Sequence, residues 1–300
     1  MPPSDNSFAK FTLAPCVQSL ILLLEDLLLK RPYEQFGKNS QSGERYNIVH
    51  PSDFGSARRK PVTPEFQNYS EHFWNAMNVL LFGDEYETIA KHLLSFKVNT
   101  IKVSECAPYY GTNAYHMHLD NRVGLFEEKN ETQRRKIRVV FSVVHGYNES
   151  YHPKYRSTVF LKEQSPAPFK SQHEFHKYMQ SRYTDTGTES GNSRPIYAIP
   201  PKDLTWSMPG DVTVHHSHCE SGSQEIHAEA NPVPDGRVLI AIDFQDIIHG
   251  RENKKQIPAT RIPEKLIIQQ MAVLADPTTK QFRDRMALFC LKSGLATLRR

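Results

Sequence analysis

The sequence predicts a β-rich α+β fold, with a barrel or sandwich of short strands at its centre and helices packed outside. Three observations carry this. An apolar run with helical character stands near the start, short alternating segments fill the middle, and helical spacing returns at the end.

In chain order, residues 1–15 have two prolines after Met1 and no clear pattern, and are expected to be disordered. A helix is predicted from about Pro15 to Lys30. Its core, Val17 to Leu29, is too short to span a membrane and is interrupted by Glu25 and Asp26, so a buried N-terminal helix is expected. Residues 31–66 are polar and irregular. Glu71 to Phe96 shows helical spacing through Phe73, Trp74, Met77, Leu80 and Leu81, with a break at Gly83-Asp84 before Ile89, His92, Leu93 and Leu94 resume the apolar face. Strands are predicted at Thr100–Ser104, Tyr115–Asp120, Ile137–Val144 and Ser157–Lys162. His173–Tyr183 reads as a helix, and Asp185–Arg194 as a polar loop suited to a mobile lid. Pro209-Gly210-Asp211 is a tight turn feeding a strand, and Val238–Phe244 is the clearest strand of all. Helical spacing then covers Pro263 to Leu298. No Gly/Ser/Pro linker divides the 300 residues. One domain is therefore expected over 1–300: helical support in 1–98, the strand core in 99–247 and a helical segment in 248–300.

The bulk numbers exclude several classes. A net charge of +4 is mild, and no Lys/Arg block interleaved with aromatics marks a nucleic-acid groove. The four cysteines, Cys16, Cys106, Cys219 and Cys290, are far apart and form neither a disulfide framework nor a zinc knuckle. A reduced, cytoplasmic setting with no membrane insertion is the simplest expectation. Oligomeric state is not legible. Ser221-Gly222-Ser223 lacks the nucleophile elbow of a hydrolase.

The chemistry-bearing feature is His118-Leu119-Asp120 with His227 far downstream. A strand turns alternate side chains to one face, so His118 and Asp120 would point the same way. Two imidazoles and a carboxylate are the set that holds non-heme Fe(II) while leaving positions open. Arg237 follows His227 by ten residues, and its planar fork suits a dicarboxylate. The turn-rich Asn231–Gly236 is expected to fold the strand carrying Arg237 back beside His227.

Residues Tyr110-Gly111 through Tyr115, His118, Asp120 and Asn121 resemble the first metal block of the Fe(II)/2-oxoglutarate-dependent oxygenases, with the prolyl-hydroxylase branch nearest. His227…Pro232-Val233…Gly236-Arg237 resembles that branch's second block, and Gly210-Asp211 its usual entry to the preceding strand. The likeness covers residues 110–244. It implies a double-stranded β-helix, or jelly roll, with His118, Asp120 and His227 on iron. It also implies Arg237 on the 2-oxoglutarate C5 carboxylate, Tyr110 or Tyr109 assisting, and O2 as oxidant. The expected activity is oxidation of an unactivated C–H bond, by hydroxylation, desaturation or ring closure. A small, amino-acid-derived or acidic metabolite is the expected substrate.

Alternatives stand beside this. His218 is a second candidate for the distal ligand. A prolyl or peptidyl substrate would follow the motif likeness. His116 and His118 also form the paired histidines of a cupin, although the first Glu after them is Glu127. A catalytically silent barrel that binds without turnover is the remaining reading.

Overall fold

The computed structural model describes residues 8–29, 38–39, 43–48, 75–101, 114–119, 136–143, 158–163, 169, 171–188, 195–218, 226–229, 237–252 and 255–293. The chain begins with β1 (Ala9–Thr12), α1 (Pro15–Leu29), β2 (Lys38–Asn39), β3 (Gly43–Ile48), α2 (75–82), α3 (Tyr86–Ala90) and β4 (Leu93–Ile101). The middle carries β5 (Ala114–Tyr115), β6 (Lys136–Val143), β7 (Thr158–Leu161), α4 (Gln172–Gln180), β8 (Thr184–Thr188), β9 (Pro195–Ala198), β10 (Leu204–Ser207), β11 (Asp211–His218), β12 (His227–Glu229) and β13 (Arg237–Gln245). The hairpin β14 (Ile247–Glu252) and β15 (Lys255–Thr260) leads to α5 (Glu264–Ala275) and α6 (Lys280–Lys292). No described helix is long and apolar enough to cross a membrane.

Two antiparallel layers form the core. The larger sheet has seven strands in the order β1-β11-β6-β13-β4-β3-β2, and a three-stranded sheet runs β10-β7-β12. A further sheet, β5-β9-β8, joins the smaller layer through an isolated antiparallel bridge between His118 and His227. From β4 onward the chain crosses repeatedly between layers: β4, β6, β11 and β13 lie in the large sheet, while 114–118, β7, β10 and β12 lie on the other side, with no large-sheet strand between β7 and β10.

Strand alternation explains the packing. Ile137, Val139 and Phe141 of β6, Val212 and Val214 of β11, and Ile240, Ile242 and Phe244 of β13 are buried in one cluster with residues of α1, α2, α5 and α6. Helices therefore cover one face of the large sheet. The intervening residues, among them Arg138, Thr213, His215 and Asp243, belong to its other face. The small layer is backed by α4, whose Phe175 and Met179 pack with Val159, Leu161, Tyr197 and Leu204. The two layers meet where the Phe160 ring stands 5.1 Å from that of His215. Ser142 Oγ and Ser207 Oγ also face each other at 3.4 Å.

The turn before β11 is built as its residues require. Gly210 has φ +93°, a conformation other residues resist. Its N–H donates to the Ser142 carbonyl at 2.7 Å, and a Cβ there would lie 2.7 Å from Gln18 Oε1. The buried Asp211 carboxylate accepts from Thr12 Oγ1 at 2.6 Å and from the Met208 N–H at 2.9 Å, tying β1 to the turn.

Several expectations are corrected. Residues 9–12, expected to be disordered, form an edge strand, because β11 supplies the ladder that four residues cannot establish alone. Helical spacing was expected to Phe96, but the helix ends at Ala90 and β4 starts at Leu93. The run is apolar enough for either period, and pairing of Phe96 with Ile242 and Val98 with Ile240 decides it. Thus β4 straddles the expected boundary at 98/99, and β1 to β3 join the same sheet. Thr184–Thr188 is a strand paired to β9, with Gly187 at a register shift, rather than part of a loop. Residues 189–194 of the expected lid lie outside the described residues. Residues 248–252 and 255–260, expected in the C-terminal helical segment, lie in the paired strands β14 and β15.

Candidate metal centre

His118 and His227 are brought together by their own backbones. The His118 N–H donates to the His227 carbonyl at 2.7 Å, and the His227 N–H returns the bond to the His118 carbonyl at 3.1 Å. Residues that exchange both bonds sit directly opposite, so their side chains leave the same face of the pair. The two imidazole centroids are 4.5 Å apart with planes at 54°. His227 is buried and His118 half-buried.

This spacing fits two rings on one ion. With each imidazole nitrogen about 2.1 Å from a transition metal, rings held at right angles on that metal have centroids about 4.5 Å apart. The tautomer is also prepared. His118 Nδ1 lies 3.3 Å from the His116 carbonyl oxygen, and a hydrogen donated there leaves Nε2 with its lone pair for a ligand. His116 stacks on His118 with centroids 5.5 Å apart and planes at 13°. Phe160 stacks on His227 at 5.5 Å, and His215 approaches from the opposite sheet at 5.6 Å.

Asp120, the third expected ligand, lies outside the described residues, as do Tyr109 and Tyr110. Among the described residues no group of three ligating side chains could hold a metal ion. His215, although close, therefore does not complete a site with the two bridged histidines. Arg237 opens β13 and pairs with Ile101 of β4. The expected return of its strand beside His227 is corrected: β12 pairs with β7 in the small sheet, while β13 pairs with β4 and β6 in the large one. Residues 230–236 between them lie outside the described residues. His218 pairs with Lys136 beyond an irregularity in β11 and does not take part in the bridge to His118.

Sequence reasoning missed an ion pair on the face of the large sheet that carries His215. Arg138 and Asp243, in register on β6 and β13, form a bidentate pair. Nε meets Oδ1 at 2.6 Å and Nη2 meets Oδ2 at 3.3 Å. His215 is the next residue across the sheet, in register with Arg138. The signal available was parity: counted from Asp211, His215 falls on the face away from the helices, and His216 falls on the helix side, where its Nε2 meets Glu264 of α5 at 3.2 Å. A separate polar group lies under α4, where His176 Nδ1 is 3.0 Å from Tyr197 Oη. Burial there pushes the Tyr197 phenol up to about 12 and the His176 imidazole down. Tyr197 belongs to the buried cluster behind the small layer.

No family model matches the chain, and no curated protein matches it. Solved structures with partial likeness include the non-heme alpha ketoglutarate dependent carbocyclase SnoK from nogalamycin biosynthesis. It is 13% identical, with 81% of this chain and 80% of that one covered and a TM-score of 0.39. The non-heme alpha ketoglutarate dependent epimerase SnoN from the same biosynthesis is 13% identical over 81% and 79% of the two chains, at a TM-score of 0.38. EvdO2 from Micromonospora carbonacea var. aurantiaca is 12% identical over 83% and 91%, at 0.36. These overlaps are too loose to transfer an activity, and the functional reading rests on this chain's own residues.

Proposed function

We propose that this chain is a non-heme Fe(II)/2-oxoglutarate-dependent oxygenase acting on a C–H bond of a small acidic or amino-acid-derived metabolite. One observation carries the reading: the reciprocal backbone bridge that holds the His118 and His227 rings 4.5 Å apart. The alternation of strands between two facing layers supports a jelly-roll core, with the bridged pair between segment 114–118 and β12.

In this reading His118, His227 and Asp120 would hold the ferrous ion. The bound ion and 2-oxoglutarate supply the oxidising power that side chains lack. The chain's own work is placement. The His116 carbonyl orients His118, Phe160 fixes the plane of His227, and the buried interior keeps bulk water away. Arg237 takes the far carboxylate of 2-oxoglutarate through its planar fork.

The test is anaerobic addition of Fe(II) and 2-oxoglutarate, followed by succinate release across metabolites and peptides. A visible absorption band and succinate formation are expected. A folded sample with neither is the outcome of a silent barrel, and release with peptides alone would make the substrate peptidyl. Arg237→Ala should leave metal affinity unchanged while weakening 2-oxoglutarate by at least about tenfold, as loss of a charge-assisted bidentate contact demands. Unchanged 2-oxoglutarate affinity would remove Arg237 from this role.

A further inference from the structure

Phe160 lies on the central strand of the small sheet, with β12 on one side and β10 on the other. Its partner in register on β12 is His227, and on β10 it is Thr205. The His227 ring stacks on Phe160, with centroids 5.5 Å apart and planes at 30°. Thr205 brings only a short side chain to the other flank. A ring from the opposite sheet comes there instead. Phe8, just ahead of β1, stands 4.7 Å from Phe160, centroid to centroid, with planes at 48°.

The docking of β1 explains this placement. Ala9 pairs with Val214, so the ladder continued by one residue sets Phe8 level with His215, on the face His215 shares. His215 itself approaches Phe160 across the sandwich at 5.1 Å. Lys10 Nζ donates to the Trp206 carbonyl of β10 at 3.0 Å, which sets β1 over β10. Phe8 therefore meets Phe160 from the β10 side, while His227 meets it from the β12 side. Phe160 is buried and Phe8 half-buried.

These contacts act on ring planes. The last torsion of a phenylalanine or histidine has broad wells, so neighbours decide the tilt of the ring. An aromatic neighbour prefers particular tilts, whereas an aliphatic one fills volume without setting a plane. A tilted imidazole carries its lone pair away from the ion it would bind, which is why residues that orient a ligand affect metal affinity.

We propose that Phe8 is a positioning residue for the candidate metal centre: its ring holds the plane of Phe160, and Phe160 holds the plane of His227. The proposal rests on the reading that His118 and His227 hold the metal. Phe8 touches neither metal nor substrate in it, and the edge strand β1 gains a part in ligand geometry.

Two measurements on the whole chain test it. In the metal-free protein, NMR shifts of the His227 ring protons, assigned with His227→Ala, report the ring current of Phe160. Phe8→Leu keeps an apolar side chain against β7 and should move those shifts, while His92 and His176, which pack elsewhere, keep theirs. Mn(II) titration followed by electron paramagnetic resonance should then show affinity weakened about three- to tenfold, below the 10–100-fold of a directly bonded orienting partner. Phe8→Tyr retains the ring and should bring affinity back to within about twofold of native. Thr12→Ala is the control for loosening β1 alone: it removes the 2.6 Å bond to Asp211 and should melt earlier with His227 shifts and affinity unchanged. If Phe8→Leu behaves as Thr12→Ala does, or if Phe8→Tyr loses as much affinity as Phe8→Leu, the positioning role is overturned. Failure of the underlying reading has its own signature, Mn(II) affinity that survives His118→Ala, whatever the imidazole shifts do.

Discussion

His227→Ala is expected to weaken Fe(II) or Mn(II) binding by at least about 100-fold, more than the 10–100-fold that loss of a residue merely orienting a ligand causes. The reason is geometric. His227 supplies one of two imidazoles whose spacing fits a single ion, and its partner His118 is held to it through backbone bonds that an alanine retains. The substitution therefore removes a ligand without removing the bridge. The space left is walled by Phe160 and His215, which stand 5.5 and 5.6 Å from the lost ring. Thermal melting followed by circular dichroism separates loss of fold from loss of ligand. Manganese titration monitored by electron paramagnetic resonance gives the affinity. His218→Ala is the internal control, with affinity expected within about threefold of native, the range of a substitution away from the ligand set. If His218→Ala lost the metal and His227→Ala kept it, the distal ligand would move to His218.

What was legible in the sequence rests on strand alternation and turn chemistry, which are local. His118 lies past β5 and is placed by its bridge to the remote His227, whereas the Gly210 turn before β11 needs only its glycine and the following aspartate. The same is true of β13, whose run from Val238 to Phe244 is apolar enough to be a buried strand in any context. What was not legible depends on partners remote in the chain. Arg138 and Asp243 meet across 105 residues, and nothing near either marks the pairing. Leu93 to Phe96 suits a helix as well as a strand until β13 arrives beside it. Thr184 to Thr188 carries Asp and Gly, residues of loops, and becomes a strand because Gly187 absorbs a register shift against β9. Four residues of β1 carry too little pattern to announce an edge strand, yet they bring Phe8 against Phe160.

Arg285→Met should destabilise the fold by about 2–4 kcal/mol, since each neutral buried acceptor left without its donor costs about 1–3 kcal/mol. On α6, Arg285 occupies the same buried stripe as Phe282 and Phe289, a place where helical spacing predicts an apolar residue. Its guanidinium reaches the end of α2. Nη1 donates to the carbonyls of Leu80 at 3.0 Å and Leu81 at 2.7 Å, and Nη2 donates to the buried Gln270 of α5. The last carbonyls of a helix have no partner within it, and the negative end of its dipole favours a cation there. One side chain thus satisfies α2 and holds α5 and α6 to it. Burial lowers the Arg285 pKa to about 10, with Asp84 and Glu85 opposing, so it remains a cation at neutral pH. Gly83, with φ +57°, makes the approach possible, since a Cβ there would lie 2.8 Å from the guanidinium carbon. Methionine retains most of the stem's volume, so the loss reports the stranded carbonyls rather than a cavity. Urea unfolding monitored by circular dichroism measures it. A shift below about 1 kcal/mol would mean that water or another donor satisfies Leu80 and Leu81 once the guanidinium is gone.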